Sequence, residues 1–215
     1  MSQKSDALLQ KKIDQLKMDI IKLGDPEGIA FRCGMEFKAG NNSIGLFFSL
    51  FDTPVTVLFP ELKLFNSKNN NTLSTAFEAM ICYHMATADG SCLTGKWISF
   101  AELPDGRFYN QAFQGYTGDK LSALLGNDVE SFSSAALSLN GVLLPIGDAS
   151  FEFKALPKVP LAVVYWKGDE EFPPSCKVLF DASASHYLPT DACAILGSLL
   201  IQKIKNHLEE KSGLN

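Results

Sequence analysis

One stretch of this sequence restricts the fold more than any other. Leu161 to Trp166 is apolar throughout, which favours a strand buried on both faces at the centre of a sheet. A second apolar run, Val178 to Phe180, follows after a loop of about ten residues, which is too short for a helical crossover between parallel strands. The two runs therefore predict an antiparallel hairpin within a largely antiparallel sheet.

The other strand candidates also have short connections. Ile29 to Lys38 alternates apolar and polar residues, which is the period of a half-buried strand, and Phe151 to Ala155 does the same. Ile44 to Leu50 and Val55 to Phe59 follow the first of these with only turn residues between them. Such spacing suits an antiparallel meander.

Helical periodicity marks both ends of the chain and its middle. Ser5 to Leu23 carries apolar residues at alternating steps of four and three, which places them on one narrow stripe. This stripe predicts either docking on the sheet of the same chain or a dimer zipper. Further helices are predicted at about Ser74 to Ala88, Asp119 to Leu125, after Asn127, and at Asp191 to Leu208.

The order of these elements predicts the α+β class. We expect a mainly antiparallel sheet of about six to seven strands with helices packed on it, including N- and C-terminal helices. The expected boundaries are an amphipathic helix over residues 1–27, a single domain over 28–208 and a polar tail over 209–215.

Composition excludes several classes of protein. Hydrophobic residues make up 46% and charged residues 20%, which is typical of a globular chain. The net charge of -5 lacks the basic footprint that nucleic-acid binding requires. No apolar run approaches the roughly 20 residues of a membrane span, and no signal peptide is visible, so the sequence predicts a cytoplasmic protein. The five cysteines lack close pairs, which favours reduced thiols over a metal cluster.

The most unusual segment is Trp166 to Ser175, called the acidic loop below. It contains three consecutive carboxylates, two aromatic residues and a double proline that stiffens its exit. Adjacent carboxylates repel one another unless a cation, a basic group or solvent compensates. One interpretation is a rigid loop that holds a ligand, and the other is a solvated hairpin loop, because charge runs usually face water.

Two further side chains near the acidic loop in sequence are candidates. Asp181 follows the strand that ends at Phe180, where it would either cap the next helical turn or act as a metal ligand or base. His186 is the best candidate ligand or acid–base group of the three histidines, and a structural role is its alternative. The full set of candidate ligand-binding residues is Trp166, Asp169, Glu170, Glu171, Phe172, Asp181, His186 and Tyr187, of which Asp169, Glu171, Asp181 and His186 are the candidate metal ligands.

A set of short motifs across the chain resembles a prokaryotic family described as domain of unknown function 3786. The motifs are Leu103 to Arg107, Gly147-Asp148, Pro160-Leu161, Trp166, Gly168 to Pro173, Leu179 to Asp181 and Tyr187-Leu188. The resemblance covers roughly Gly28 to Leu208, and its specific parts are the acidic loop and Leu179-Phe180-Asp181.

The resemblance implies a metabolic context but no specific activity. The family comes mostly from anaerobic bacteria and archaea, and some members carry a four-cysteine iron–sulfur domain like those of corrinoid-handling proteins. It thereby implies anaerobic redox or tetrapyrrole metabolism. The iron–sulfur role does not carry over to this chain, because its first 28 residues lack clustered cysteines.

Three functions remain open from the sequence. The first is a binding protein for a small planar ligand, such as a tetrapyrrole, near Trp166, Phe172, His186 and Tyr187. The second is an enzyme in which Asp169, Glu171 and Asp181 bind a divalent cation and His186 serves as ligand or base. The third is an interaction protein that forms a homodimer through its N-terminal helix.

Overall fold

The computed structural model describes residues 3–40 and 43–211, with side chains for 7–40 and 43–210. It confirms the α+β class, with helices at both ends of the described chain. The strands form two antiparallel sheets, of four and five strands. The chain divides into two compact units: the first contains Met1–Cys92, Leu156–Lys158 and His186–Ala192, and the second contains Leu93–Ala155, Val159–Ser185 and Cys193–Asn215.

The first unit contains the smaller sheet and three helices. Its elements in chain order are α1 (Gln3–Leu23), α2 (Pro26–Cys33), β1 (Glu36–Ala39), β2 (Ile44–Leu50), β3 (Thr53–Phe59), β4 (Lys63–Asn66) and α3 (Thr75–Thr87). The four strands are antiparallel and lie in chain order. They form the meander that the short connections favour.

Helix α1 uses its apolar stripe inside its own unit. Ile13, Leu16 and Ile20 are buried, and α1 packs along α3. The Lys17 ammonium and the Glu78 carboxylate form an ion pair between the two helices. The stripe therefore docks on a helix of its own chain, whereas the sequence favoured docking on a sheet.

The strand predicted over Ile29 to Lys38 is wrong for most of its length. Asp25 caps α2 by accepting the backbone N–H of Gly28 at 2.9 Å, and Pro26 opens the helix. Gly34 ends the helix at a φ of 72°, a left-handed value that glycine adopts without strain. As a result Phe31, which the alternating pattern turned inward, is 78% exposed.

The second unit contains the larger sheet. Its elements are β5 (Trp97–Ser99), α4 (Gly106–Tyr116), α5 (Gly118–Leu125), α6 (Val129–Ser138), β6 (Val142–Leu143), β7 (Ala149–Leu156), β8 (Val159–Trp166), β9 (Ser175–Asp181) and most of α7 (Thr190–Lys211).

The order of the larger sheet confirms the argument from the apolar run. The strands lie in the order β5-β9-β8-β7-β6, so β8 is central and its residues from Val159 to Tyr165 are buried. Strands β8 and β9 pair antiparallel, from Leu161 opposite Phe180 to Trp166 opposite Ser175. The hairpin is therefore present, and the acidic loop is its connection. None of the described helices has the length and hydrophobicity of a membrane span.

Candidate functional site

The acidic loop is held in place by side chains from other parts of the second unit. The Asn127 side chain accepts the backbone N–H of Gly168 at 2.7 Å and donates to the Gly168 carbonyl at 3.2 Å. The backbone N–H of Lys167 donates to Asp148 Oδ2 at 2.7 Å. These bonds fix the start of the loop.

The carboxylates of the loop face solvent. Asp169, Glu170 and Glu171 are all exposed. Asp169 Oδ1 accepts the backbone N–H groups of Phe172 at 2.8 Å and Glu171 at 2.9 Å, and these bonds lower the pKa of Asp169. Its carboxylate therefore shapes the loop itself.

The two aromatic residues of the loop differ in their surroundings. Trp166 is half-buried, and the Lys177 ammonium lies 5.8 Å from its ring centroid. Phe172 is 66% exposed at the other end of the loop. The aromatic surface that the sequence predicted beside the carboxylates is therefore only partly accessible at Trp166 and fully open at Phe172.

Asp181 is buried and fully engaged within the second unit. Only 2% of its surface is exposed. Its carboxylate accepts the backbone N–H groups of Thr94 at 3.1 Å, Gly95 at 2.7 Å and Ser183 at 2.9 Å, together with both hydroxyls of Thr94 and Ser183. Burial raises the pKa of Asp181, but the bonds from Ser183 and Thr94 outweigh it and the net shift is downward. The bonds from Ser183 lie in the turn that follows Asp181, whereas the bonds from Thr94 and Gly95 tie the carboxylate to a segment distant in sequence.

His186 has a carboxylate partner that the sequence did not reveal. In the first unit its Nδ1 atom lies 2.7 Å from Asp89 Oδ2, and the Ser91 hydroxyl lies 3.2 Å from the same nitrogen. The side chains of His186 and Asp89 are each 50% exposed. We call this pair the His186–Asp89 dyad.

The dyad is held by bonds on both sides. The backbone N–H of Asp89 donates to the His186 carbonyl at 3.2 Å. Tyr187 is completely buried, and its hydroxyl donates to the Ser91 carbonyl. Tyr187 therefore fixes the loop after α3 from beneath, and its ring is not part of the surface that a ligand can reach.

The electrostatics of the dyad determine which nitrogen of His186 is available. Hydrogen bonds from His186 and Ser91 lower the pKa of Asp89 to about 2. An ionised carboxylate only accepts hydrogen bonds, so the Nδ1 atom carries the proton that it donates to Asp89. The Nε2 lone pair of neutral His186 is then free to accept a proton or bind a metal.

A second histidine of the first unit lies in the core. His84 is completely buried, with Nε2 3.2 Å from the Cys33 carbonyl and its ring centroid 5.7 Å from that of Tyr187. Burial lowers the pKa of His84 to about 4, although the carbonyls of Cys33 and Tyr187 act in the opposite direction. This side chain is neutral at pH 7 and serves the packing of the unit.

The candidate metal ligands do not form a cluster. Over residues 3–40 and 43–211, no three His, Cys, Asp or Glu side chains are arranged to hold a metal ion. Asp169 and Glu171 lie in the acidic loop, Asp181 is enclosed by its own hydrogen bonds, and His186 pairs with Asp89.

Sequence reasoning missed Asp89 and Ser91. The segment Ala88-Asp89-Gly90 indicated only the end of a helix. Nothing in the local sequence pairs position 89 with position 186, because the contact depends on tertiary structure. The available signal was chemical, since an exposed His often has a carboxylate partner when it is functional.

Comparison with protein families gives a match. A family model described as "Domain of unknown function (DUF3786)" matches residues 25–203. No curated protein and no solved structure gives a match.

Proposed function

This chain belongs to the family described as domain of unknown function 3786, and we propose that it is a small-ligand-binding protein that holds a metal-containing tetrapyrrole through His186. The observation that carries the proposal is the 2.7 Å bond between His186 Nδ1 and Asp89 Oδ2. A histidine that binds a metal usually donates its other ring N–H to a carboxylate or carbonyl, which orients the ring and increases its basicity.

The donor set of the dyad fits this class of ligand. A tetrapyrrole supplies four nitrogen ligands to its metal, so the protein needs to add only an axial side chain, and histidine fills this role in many haem proteins. The bound group would supply redox or ligand-exchange chemistry at its metal. The side chains of this chain would position it: His186 through Nε2, and Asp89 by holding the imidazole in the required tautomer.

The half-exposed position of the dyad also favours ligand binding. A histidine with no task beyond packing is usually buried, as His84 is in the same unit. His186 instead presents half of its side chain to solvent while Asp89 and Ser91 restrict its rotation. Restricting a side chain before binding reduces the entropy lost on binding. The implied link of this family to anaerobic tetrapyrrole metabolism gives further support.

Optical titration tests the proposal. Purified protein is titrated with haemin, and separately with aquacobalamin, while the visible spectrum is recorded. We expect a saturable change at one ligand per chain with at least one of the two chromophores. In His186→Ala the affinity for that chromophore should fall at least tenfold, and the spectrum of the histidine-ligated form should be absent.

His207→Ala is the matched control, because it removes the same side chain from α7 and should bind like the wild type. If neither chromophore binds, or if His186→Ala binds with the affinity and spectrum of the wild type, the proposal is wrong.

A further inference from the structure

An exposed aromatic ring on the first unit lies beside an unusually placed cation. Phe31 lies on α2 and is 78% exposed, so this large apolar side chain contributes little stabilisation through burial. The Lys158 ammonium lies 5.8 Å from its ring centroid, within the range of a cation–π interaction. Position 31 therefore presents an exposed aromatic ring with the Lys158 ammonium over it.

Lys158 occupies a backbone position that favours glycine. Its φ is 58°, in the left-handed region where side chains with a Cβ are disfavoured. Lys158 belongs to the two-residue connection between the neighbouring strands β7 and β8, where a positive φ is ordinary turn geometry. Lysine has no backbone advantage over glycine at position 158, so what it contributes there is its charged side chain.

Gly34 lets the Lys158 side chain reach Phe31. A methyl group at position 34 would lie 3.1 Å from Cγ and 3.3 Å from Cε of Lys158, so the lysine stem passes directly over the glycine. Gly34 also ends α2 at its left-handed φ. The stem is thus held along its length, and the ammonium group is directed to the ring.

The charge of Lys158 is available to a ligand. Among the described side chains, no carboxylate lies within ion-pair distance of its ammonium group. Arg32, the residue after Phe31, instead forms an ion pair with Asp25, in which Nη1 and Oδ2 lie 3.4 Å apart. Lys158 is therefore the cation of this surface that an incoming anion would meet.

The same helix contacts the loop that carries the dyad. A methyl group on Gly90 would lie 3.6 Å from Cγ of Arg32, so α2 packs against the segment between Asp89 and Ser91. Phe31 and Lys158 thus lie in the same unit as His186 and beside the loop that orients it.

We infer that Phe31 and Lys158 form a platform for a planar ligand that bears a carboxylate. The ligand ring stacks on Phe31, and its carboxylate pairs with the Lys158 ammonium. This inference rests on the proposed function and adds a requirement to it: the tetrapyrrole must carry a free carboxylate side chain. Neutral or esterified rings bind more weakly.

Metal-free protoporphyrin IX separates the platform from the metal bond, because it has the ring and the carboxylates but no metal for His186. Its binding is followed by its fluorescence. We expect Phe31→Ser and Lys158→Asn each to lower its affinity roughly tenfold. Asparagine tolerates a left-handed φ, so Lys158→Asn removes the charge without backbone strain.

Two controls match these variants. Phe108→Ser removes a phenylalanine that is 93% exposed on α4, and Lys154→Asn removes an exposed lysine of β7. Both should change the affinity less than twofold. Haemin dimethyl ester provides a further check: it should bind the wild type about as weakly as haemin binds Lys158→Asn, with no additional loss when both changes are combined.

The outcomes distinguish the two proposals. If protoporphyrin IX does not bind, or binds Phe31→Ser and Lys158→Asn as tightly as the wild type, the platform is wrong. The loss of haemin binding in His186→Ala would still support the proposed function in that case. If instead protoporphyrin IX follows the platform variants while haemin ignores His186→Ala, the axial bond is wrong and the platform stands.

Discussion

Asp89 Oδ2 accepts a 2.7 Å hydrogen bond from His186 Nδ1, although the two residues are 97 positions apart in the chain. Asp89 lies two residues after the end of α3, and His186 ends a short 3₁₀ turn before α7. The bond fixes the imidazole tautomer and leaves Nε2 as the free ring nitrogen. The proposed function depends on this relationship, since the two residues together supply one oriented donor atom.

Asp89→Asn should weaken tetrapyrrole binding without unfolding the protein. The amide cannot provide the full negative charge that holds the Nδ1 proton, so the imidazole is oriented less firmly. Loss of such a supporting carboxylate typically lowers metal affinity about 10- to 100-fold. Optical titration with the chromophore that binds the wild type measures the change.

Asp105→Asn serves as the control for this variant, because Asp105 is exposed and has a left-handed φ of 58° that asparagine also tolerates. It should bind like the wild type. An affinity of Asp89→Asn within twofold of the wild type would mean that Asp89 does not support His186.

The buried His84 should make folding stability depend on pH. Because burial lowers its pKa from 6.5 to about 4, the unfolded chain binds a proton at this site more readily than the folded chain. Protonation of His84 has little effect on the free energy of unfolding above pH 6.5, and that free energy decreases as the pH falls from 6.5 towards 4. At pH 5 the loss is about 2 kcal/mol relative to pH 7.5.

His84→Leu should reduce that pH dependence. It removes the 3.2 Å bond to the Cys33 carbonyl, which costs about 1 kcal/mol at pH 7.5, but it also removes the titrating group. Urea unfolding at pH 7.5 and pH 5 gives the comparison, with His207→Leu as control. Equal losses between the two pH values in the wild type and His84→Leu would contradict the assigned role.

Asp181 should be a main determinant of stability in the second unit. Asp181→Asn places an amide NH₂ group where the carboxylate accepts N–H and O–H groups from Thr94, Gly95 and Ser183. Leaving such buried donors unpaired should lower the free energy of unfolding by about 3 kcal/mol. Urea unfolding at pH 7 measures it.

Glu170→Gln is the comparison for Asp181→Asn. Glu170 is exposed in the acidic loop, so its change should stay within about 0.5 kcal/mol. A loss for Asp181→Asn no larger than that for Glu170→Gln would show that the hydrogen bonds of Asp181 do not stabilise the fold.

Thiol labelling should detect one reactive cysteine in the folded protein. Cys92 is exposed, whereas Cys33, Cys82, Cys176 and Cys193 are buried. Burial also raises the pKa of the Cys33, Cys82 and Cys176 thiols to about 12, which suppresses the reactive thiolate. A thiol reagent should therefore label one site under native conditions and five in denaturant, as counted by mass. In Cys92→Ser, native labelling should disappear, and fast labelling of a second cysteine would contradict the described burial.

The fold was predictable where hydrophobic periodicity and turn residues agree. The apolar run of β8 and the short return to β9 determine an antiparallel hairpin, and the stripe of α1 determines a helix. The segment from Ile29 to Lys38 failed because its alternation fits a strand, while the capping by Asp25 and the ending at Gly34 favour the helix α2. In this short segment the signals for the start and end of a helix outweighed the alternation of apolar and polar side chains.

Turn signals were also ambiguous in the second unit. Asp105-Gly106 is a dipeptide typical of turns, and Asp105 has a positive φ at the start of α4. The same dipeptide chemistry serves both a turn and a helix start, and only packing distinguishes them. Strand β4 was missed because its four residues carry no clear alternation of their own.

The site was only half predictable. His186 was a candidate by its chemistry, but the local sequence drew most of the other candidates from the acidic loop, whose carboxylates are exposed. The partner Asp89 depends on a contact between distant parts of the chain. Phe31 and Lys158 depend on the helical state of α2, which the sequence pattern concealed.

Chemical rescue of His186→Gly tests the central claim most directly. The wild type with haemin should show the spectrum of histidine-ligated haem, and His186→Gly should lack it. Free imidazole should restore that spectrum in the variant, because it replaces the missing ring at the same metal position. A His186→Gly spectrum identical to that of the wild type before imidazole is added would contradict the claim that His186 holds the ligand.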